Sequence, residues 1–268
     1  MEESAQRAMF TDGEGYEKYM GRWSRAAGSL FLDWLALPAG LRWLDVGCGT
    51  GAFTETIQKK CSPAELVGID PAATQVAYAQ SVYKGLGINF QVVDARSLPF
   101  DSGHFDATVS ALVLNFIPDR EKAVFEMKRV TRPGGIVAAY VWDFAGRRVN
   151  VQHLNAAMTK VTGRDTLAAM HADSTTLENL ERLFESVGLS QVASRSIDIQ
   201  ITFANFDDYW TSSSANSSSP LTRAINSLEE TKKQQLRQLV KESLPLDDQG
   251  RVSYTARVNA VRGRAQIA

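Results

Sequence analysis

The sequence predicts an α/β fold in which helices cover both faces of a mostly parallel central sheet. Three observations predict it. Five short apolar runs end at Asp45, Asp70, Asp94, Asn115 and Asp143, roughly 20 to 30 residues apart, about what a strand–helix–strand step needs. The runs are continuously apolar rather than alternating, as strands covered on both faces are. Stretches of helical period fill the gaps between them.

Each element follows in order. LRWLDVG is the first strand, and a helix over TETIQKK (54–60) comes after its glycine turn. ELVGID forms the second strand, with a helix over TQVAYAQSVYKG (74–85). NFQVVDA and FDATVSALVLN supply the third and fourth. DREKAVFEMKRV (119–130) reads as a helix with Asp119 as its N-cap and Arg132-Pro133-Gly134-Gly135 as its stop. GIVAAYVWD is the fifth strand. Past residue 146 helices are predicted over 151–160 and 176–187, then a strand over SRSIDIQITF (194–203). RVSYTARVNAV (251–261) alternates: Val252, Tyr254, Ala256 and Val258 lie on one face, Ser253, Thr255, Arg257 and Asn259 on the other. That pattern predicts a half-buried strand able to pair antiparallel with 194–203. The serine-rich TSSSANSSSP (211–220) is expected to hold no regular structure. Leu221, Ile225, Leu228, Leu236, Leu239, Val240 and Leu244 then mark one face of a helix, read as core packing.

Composition narrows the function. The 268 residues are 44% hydrophobic and 22% charged, ordinary for a globular chain that buries a core. Lys and Arg total 29 against 30 Asp and Glu, a net charge of −1. Without a basic excess or stripe, nucleic acid is a poor partner. The pairs Arg147-Arg148 and Lys232-Lys233 read as solvated faces. Two cysteines, Cys48 and Cys61, are too few for a disulfide framework or a zinc cage. The N-terminus lacks a signal peptide's apolar core, and the longest apolar run, near 107–118, is too short and interrupted to span a bilayer. A cytoplasmic protein is expected, with no metal and no membrane insertion; oligomeric state is left open.

The glycine turn carries the chemistry. Gly47-Cys48-Gly49-Thr50-Gly51-Ala52 follows a buried strand and opens a helix, so its backbone N–H groups can face a ligand. The spacing satisfies a permissive dinucleotide fingerprint, with Asp70 further on, and it also suits a simple tight turn. Asp45, at the mouth of the strand, is the discriminator. Its charge is awkward beside an anionic pyrophosphate and suits a cationic ligand, such as the sulfonium and ammonium of S-adenosylmethionine (SAM).

With LDVGCGTG, GID, VVDARSLPFDSGHFD, VSALVLNFIPD and RVTRPGG in order, the chain resembles class I SAM-dependent methyltransferases, closest to the ubiquinone/menaquinone-biosynthesis branch. The resemblance covers about residues 41–143; YEKYMGRWSR (16–25), FDDYW (206–210) and a C-terminal strand ending in VRGR are softer matches. It implies a Rossmann-like, seven-stranded, mostly parallel sheet with an antiparallel edge strand and a helical lid. It also implies SAM as the cofactor and S-adenosylhomocysteine (SAH) as its product. Asp45, Gly47, Cys48 and Gly49 fall in the loop that receives the methionyl portion. Asp70 matches the acid that accepts from the ribose hydroxyls, and Pro71 lies along the adenosine. Asp94 matches the acceptor for the adenine amino group, with the Ala95 N–H facing the ring. Ala111 and Leu112 match the backbone carbonyls that meet the methionine ammonium. Tyr19, Met20, Arg22 and Trp23 are expected either to close over the cofactor, with Arg22 on its carboxylate, or to pack on the core.

Candidates near the transferred methyl are few. Asn115 stands where many relatives carry a histidine, and an amide orients but does not deprotonate. Trp142 and Asp143 end the fifth strand, Asp143 as base, anchor or cap. His153 and His171 fall in the region expected to roof the pocket. The chain after the fourth strand lacks the Asn/Asp-Pro-Pro-Tyr/Phe motif of enzymes that methylate exocyclic or amide nitrogens, which points to a small organic acceptor. The domain expectation is a single unit over 1–268: 1–40 an N-terminal helical cap, 41–145 the SAM-binding core, 146–190 and 204–250 helical lid insertions, and 191–203 and 251–263 edge strands. Two rivals remain: an NAD(P)-linked oxidoreductase and a SAM-binding protein that does not methylate.

Overall fold

A computed structural model describes residues 13–167, 172–217 and 219–266. Helix α1 (Gly13–Leu35) precedes an alternation of β1 (Arg42–Val46), α2 (Ala52–Cys61), β2 (Glu65–Asp70), α3 (Ala73–Val82) and β3 (Asn89–Val92). The second half runs β4 (Phe105–Ala111), α4 (Arg120–Val130), β5 (Thr131–Trp142), α5 (Gln152–Thr162), α6 (Leu177–Ser186) and β6 (Ser190–Phe203). Three helices, α7 (Phe206–Ser213), α8 (Pro220–Asn226) and α9 (Glu230–Ser243), lead to the last strand, β7 (Val252–Arg264).

The seven strands form one sheet in the order β3–β2–β1–β4–β5–β7–β6. Strands β1 to β5 pair in parallel, whereas β7 runs antiparallel to both β5 and β6. This is a Rossmann-like sheet, and continuous burial along β1, β2, β4 and β5 follows from helices on both faces. Alternate residues feed opposite layers. Trp43, Tyr140 and Trp142 join Trp23 and Phe31 under α1, while Leu44, Val46, Val137 and Val141 join Val124 and Phe184 under α4 and α6.

Asp119 does cap α4, its carboxylate accepting from Lys122 N at 2.9 Å. Asp119→Ala leaves that N–H to water and is expected to cost about 1 kcal/mol, read as a lower urea midpoint at unchanged slope.

Three expectations need correction. The 251–263 segment is not an edge strand: β7 lies between β5 and β6, and β6 alone ends that side. The predicted alternation holds over 252–258, with Val252, Tyr254, Ala256 and Val258 buried, but Asn259, expected on the open face, is buried too. Its amide donates to Thr175 O and accepts from Ser196 Oγ. The serine-rich stretch is partly regular. Helix α7 runs through Ser213, and Ser219 caps α8 by accepting from Thr222 N. Serine hydroxyls that bond nearby backbone serve helix ends well. The apolar stripe over 221–244 is split between α8 and α9, both halves keeping leucine, isoleucine or valine on the core. Among the described residues no helix is long and apolar enough to cross a membrane.

Candidate active site

Strand β1 has β2 on one side and β4 on the other, so successive connections leave it in opposite directions and open a crevice at the carboxyl ends. A cavity of about 520 Å³ occupies that position. Its walls are the glycine loop, the β2–α3 turn, the ends of β3 and β4, and Ser24 of α1. Gly47, Cys48, Gly49, Asp70, Pro71, Asp94, Ala95, Ala111 and Leu112 therefore meet around one space, while Asp45 is not among its lining residues.

The loop differs from expectation in one informative way. Three of its N–H groups, those of Gly47, Cys48 and Gly49, are not turned to a ligand. Those of Gly47 and Cys48 both donate to Ile69 O, at 2.7 and 2.8 Å, and that of Gly49 donates to the Asp70 carboxylate at 3.1 Å. An anion-binding nest needs such donors free, so this loop is poorly built for a pyrophosphate. It offers close approach instead. Gly47 sits at φ 80°, and a Cβ there would stand 2.6 Å from the Val113 side chain.

Two of the three strand-end acids, Asp45 and Asp70, have their pKa values raised by burial. Asp45 is fully buried behind the loop, one carboxylate oxygen accepting from Thr54 Oγ1 at 2.6 Å and the other without a partner. Burial raises its pKa to about 7, Thr54 opposing that rise and Asp70 adding to it. Asp70 takes Ala72 N at 2.8 Å besides Gly49 N, and burial lifts it to about 6. Asp94 departs from the simple expectation because Arg96 grips its carboxylate, Nη2 to Oδ2 at 2.7 Å and Nε to Oδ1 at 3.0 Å. At the opposite wall Leu112 holds φ 62°, a strained backbone for a branched residue, and donates to Tyr140 O at 2.7 Å.

A second chamber of about 70 Å³ shares the Leu112 and Phe116 walls with the first. Tyr19, Met20 and Trp142 line it, with Asn150. Burial raises the Tyr19 phenol to about 12, so it is a neutral hydroxyl near pH 7.

The remaining candidates lie elsewhere. Arg22 is spent on Asp208 at 3.2 Å and on the face of Phe203, 4.8 Å away. Trp23 is core, edge-on to Trp142 and tilted against Tyr254. Asp143 closes the turn after β5: its Oδ1 accepts from Gly146 N at 2.8 Å, and it is not among the lining residues of either chamber. His153 lines a separate open groove and packs edge-on against Tyr254, burial lowering its pKa. His171 lies outside the described residues. Asn115 is buried with neither amide atom hydrogen-bonded. Arg22→Gln is therefore expected to leave SAH affinity within about twofold in calorimetry, because an exposed ion pair contributes little.

Sequence reasoning missed Arg96, Ser24 and Gln75 on the cavity wall. Arg96 could have been flagged, since a guanidinium two residues beyond an acid reaches it readily. Nothing in the local pattern marked the other two.

The doubly wound sheet thus gathers the glycine loop, the strand-end acids Asp70 and Asp94 and the strained Leu112 backbone around one cavity. Residues 44–139 match the family model described as a methyltransferase domain. The chain is 37% identical over 116 residues to the demethylmenaquinone methyltransferase of Thermus thermophilus, covering 42% of this chain and 51% of that one. An uncharacterised Mycobacterium tuberculosis protein is 30% identical over 119 residues, covering 44% and 43%. The chain spans about half the length of the curated relatives it matches. Among solved structures, the YcgJ protein of Bacillus subtilis shares the fold at TM-score 0.56 and 19% identity, over 90% of this chain and 99% of that one. Residues 44–139 are thus similar to the methyltransferase domain, and the relatives matched over this part include demethylmenaquinone and ubiquinone/menaquinone-biosynthesis methyltransferases.

Proposed function

We propose that this protein transfers the methyl group of SAM to a small organic acceptor. The observation that carries the reading is the 520 Å³ cavity behind whose glycine loop lies fully buried Asp45, one carboxylate oxygen still without a partner, while the loop's Gly47, Cys48 and Gly49 N–H groups are already used. Such a cavity favours a cation over a pyrophosphate, and so favours SAM over NAD(P). Bound there, SAM supplies an electrophilic methyl on its own leaving group.

The chain's part is alignment. Gly47 and Gly49 give the methionyl end close backbone approach, Asp70 accepts from the ribose, and Asp94 with its Arg96 partner borders the adenine end. Ala111 and Leu112 present carbonyls to the ammonium. The acceptor occupies the chamber beside Tyr19, Met20 and Trp142, Asn115 lying outside its lining, and segments 146–190 and 204–250 form the lid of a single domain. Among the described residues neither chamber is lined by a histidine or by an acid beyond those assigned to the cofactor. Catalysis therefore rests mainly on positioning, an effect on the order of 7–11 kcal/mol in favourable cases. The demethylmenaquinone methyltransferase among the relatives makes electron-rich ring carbons and oxygens the first acceptors to try.

The test has two arms. SAM and SAH should raise the melting temperature and NAD(H) should not; stabilisation by NAD(H) alone refutes the reading. Labelled SAM incubated with a metabolite extract should then yield a labelled product. Tight SAM binding with no transfer would instead favour the non-methylating rival.

A further inference from the structure

We propose that Gln75 is a ligand-binding residue whose side-chain amide donates to a ribose hydroxyl while Asp70 accepts the proton of the neighbouring one. The inference rests on the SAM reading of the cavity and deepens it. Gln75 is 1% exposed, and its Nε2 has no hydrogen-bond partner. Buried amide donors are nearly always paired, so an orphan on a cavity wall marks a place where a ligand completes the bond. Gln75 lines the same cavity as Asp70, in the first turn of α3.

Its amide oxygen is set against the glycine loop. The Gln75 Oε1 lies 2.7 Å from where a Cβ on Gly49 would stand, so the amide rests on bare glycine backbone. The N–H of that same Gly49 donates to Asp70 at 3.1 Å. Gly49 is thus flanked by a carboxylate that only accepts and an amide with a spare donor. A vicinal diol needs that combination, because each hydroxyl is donor and acceptor at once. Asp70 takes two backbone N–H bonds and keeps acceptor capacity, yet it cannot serve the hydroxyl oxygens.

The experiment compares wild type, Gln75→Met and Gln75→Glu by calorimetry and thermal melting, with SAH and adenosine as probes. Gln75→Met, which keeps the bulk and removes the donor, should weaken both probes by the same factor, roughly 3- to 10-fold. Its ligand-free melting temperature should hold or rise, since an orphaned polar group has been removed. Gln75→Glu should lose more at pH 8, through repulsion from Asp70, and recover affinity toward pH 5.5 as the new carboxyl gains a proton to donate. Unchanged SAH affinity in Gln75→Met overturns the assignment, and so does a loss confined to SAH, which would put the contact on the amino-acid end. A ligand-free melting temperature that falls in step with affinity makes the residue structural and also overturns it. If wild type binds neither probe, the SAM reading itself has failed, an outcome distinct from these.

Discussion

Asp70→Ala is expected to weaken SAH and SAM binding about 10- to 100-fold, read by calorimetry at pH 7.5. A carboxylate accepting from ribose hydroxyls makes charge-assisted bonds, worth about 1.5–3 kcal/mol together with the desolvation left behind when one partner goes. The same substitution frees Gly49 N and Ala72 N, which Asp70 now holds at 3.1 and 2.8 Å, and so loosens the loop it positions. Folding should suffer less than binding. Asp70 titrates near 6, so at neutral pH it is ionised at a cost to the folded state that alanine removes. That relief offsets part of the two lost backbone bonds. Asp70→Asn keeps one acceptor oxygen and should fall between wild type and alanine. Undiminished SAH affinity in the alanine variant would show that the strand-end acid does not hold the nucleoside.

The parallel half of this fold was legible because its signals are local. Each strand is an apolar run closed by a polar residue, and the closing residues Asp45, Asp70 and Asp94 sit at carboxyl ends, which the strand order brings to one crevice. The antiparallel edge was harder. Alternation along 251–258 gave the strand and its antiparallel pairing with 194–203, but not its insertion beside β5, which is set by chain far away. The same distance defeated several site assignments. Arg22 is claimed by Asp208, Asp143 approaches Asn259, and His153 rests on Tyr254, each a partner about 100 or more residues along the chain. A residue type in a plausible segment says what it can do; only the packing says what already uses it. Gln75 shows the converse, since an unmet hydrogen bond exists only once neighbours have excluded water.

Asp45 sets the pH dependence expected of the site. Its folded pKa is about 7 and that of Asp70 about 6, both raised by burial from ordinary values near 4. The groups facing Asp45 are Thr54, which donates to it, and Asp70 and Cys48, which bring no positive charge. Because both folded values lie above the unfolded ones, the stability these groups contribute is fully present below about pH 4 and is lost as pH rises to about 7. Ligand binding should run the other way. A sulfonium and an ammonium favour the ionised acid, so binding expels the proton that Asp45 holds below pH 7. SAM affinity should then be roughly tenfold tighter at pH 8 than at pH 6, one decade for a group titrating near 7. Calorimetry in buffers of different ionisation enthalpy should detect close to one proton released at pH 6 and almost none at pH 8.5. SAH, which lacks the sulfonium charge, should show a shallower profile. Asp45→Asn should flatten the SAM profile, weaken SAM at pH 8, and raise the ligand-free melting temperature there by removing the buried charge. A SAM affinity that is level from pH 6 to 8, or one that keeps its slope in Asp45→Asn, would mean that this acid does not balance the cofactor's charge and that the loop discriminates against anions by its occupied N–H groups alone.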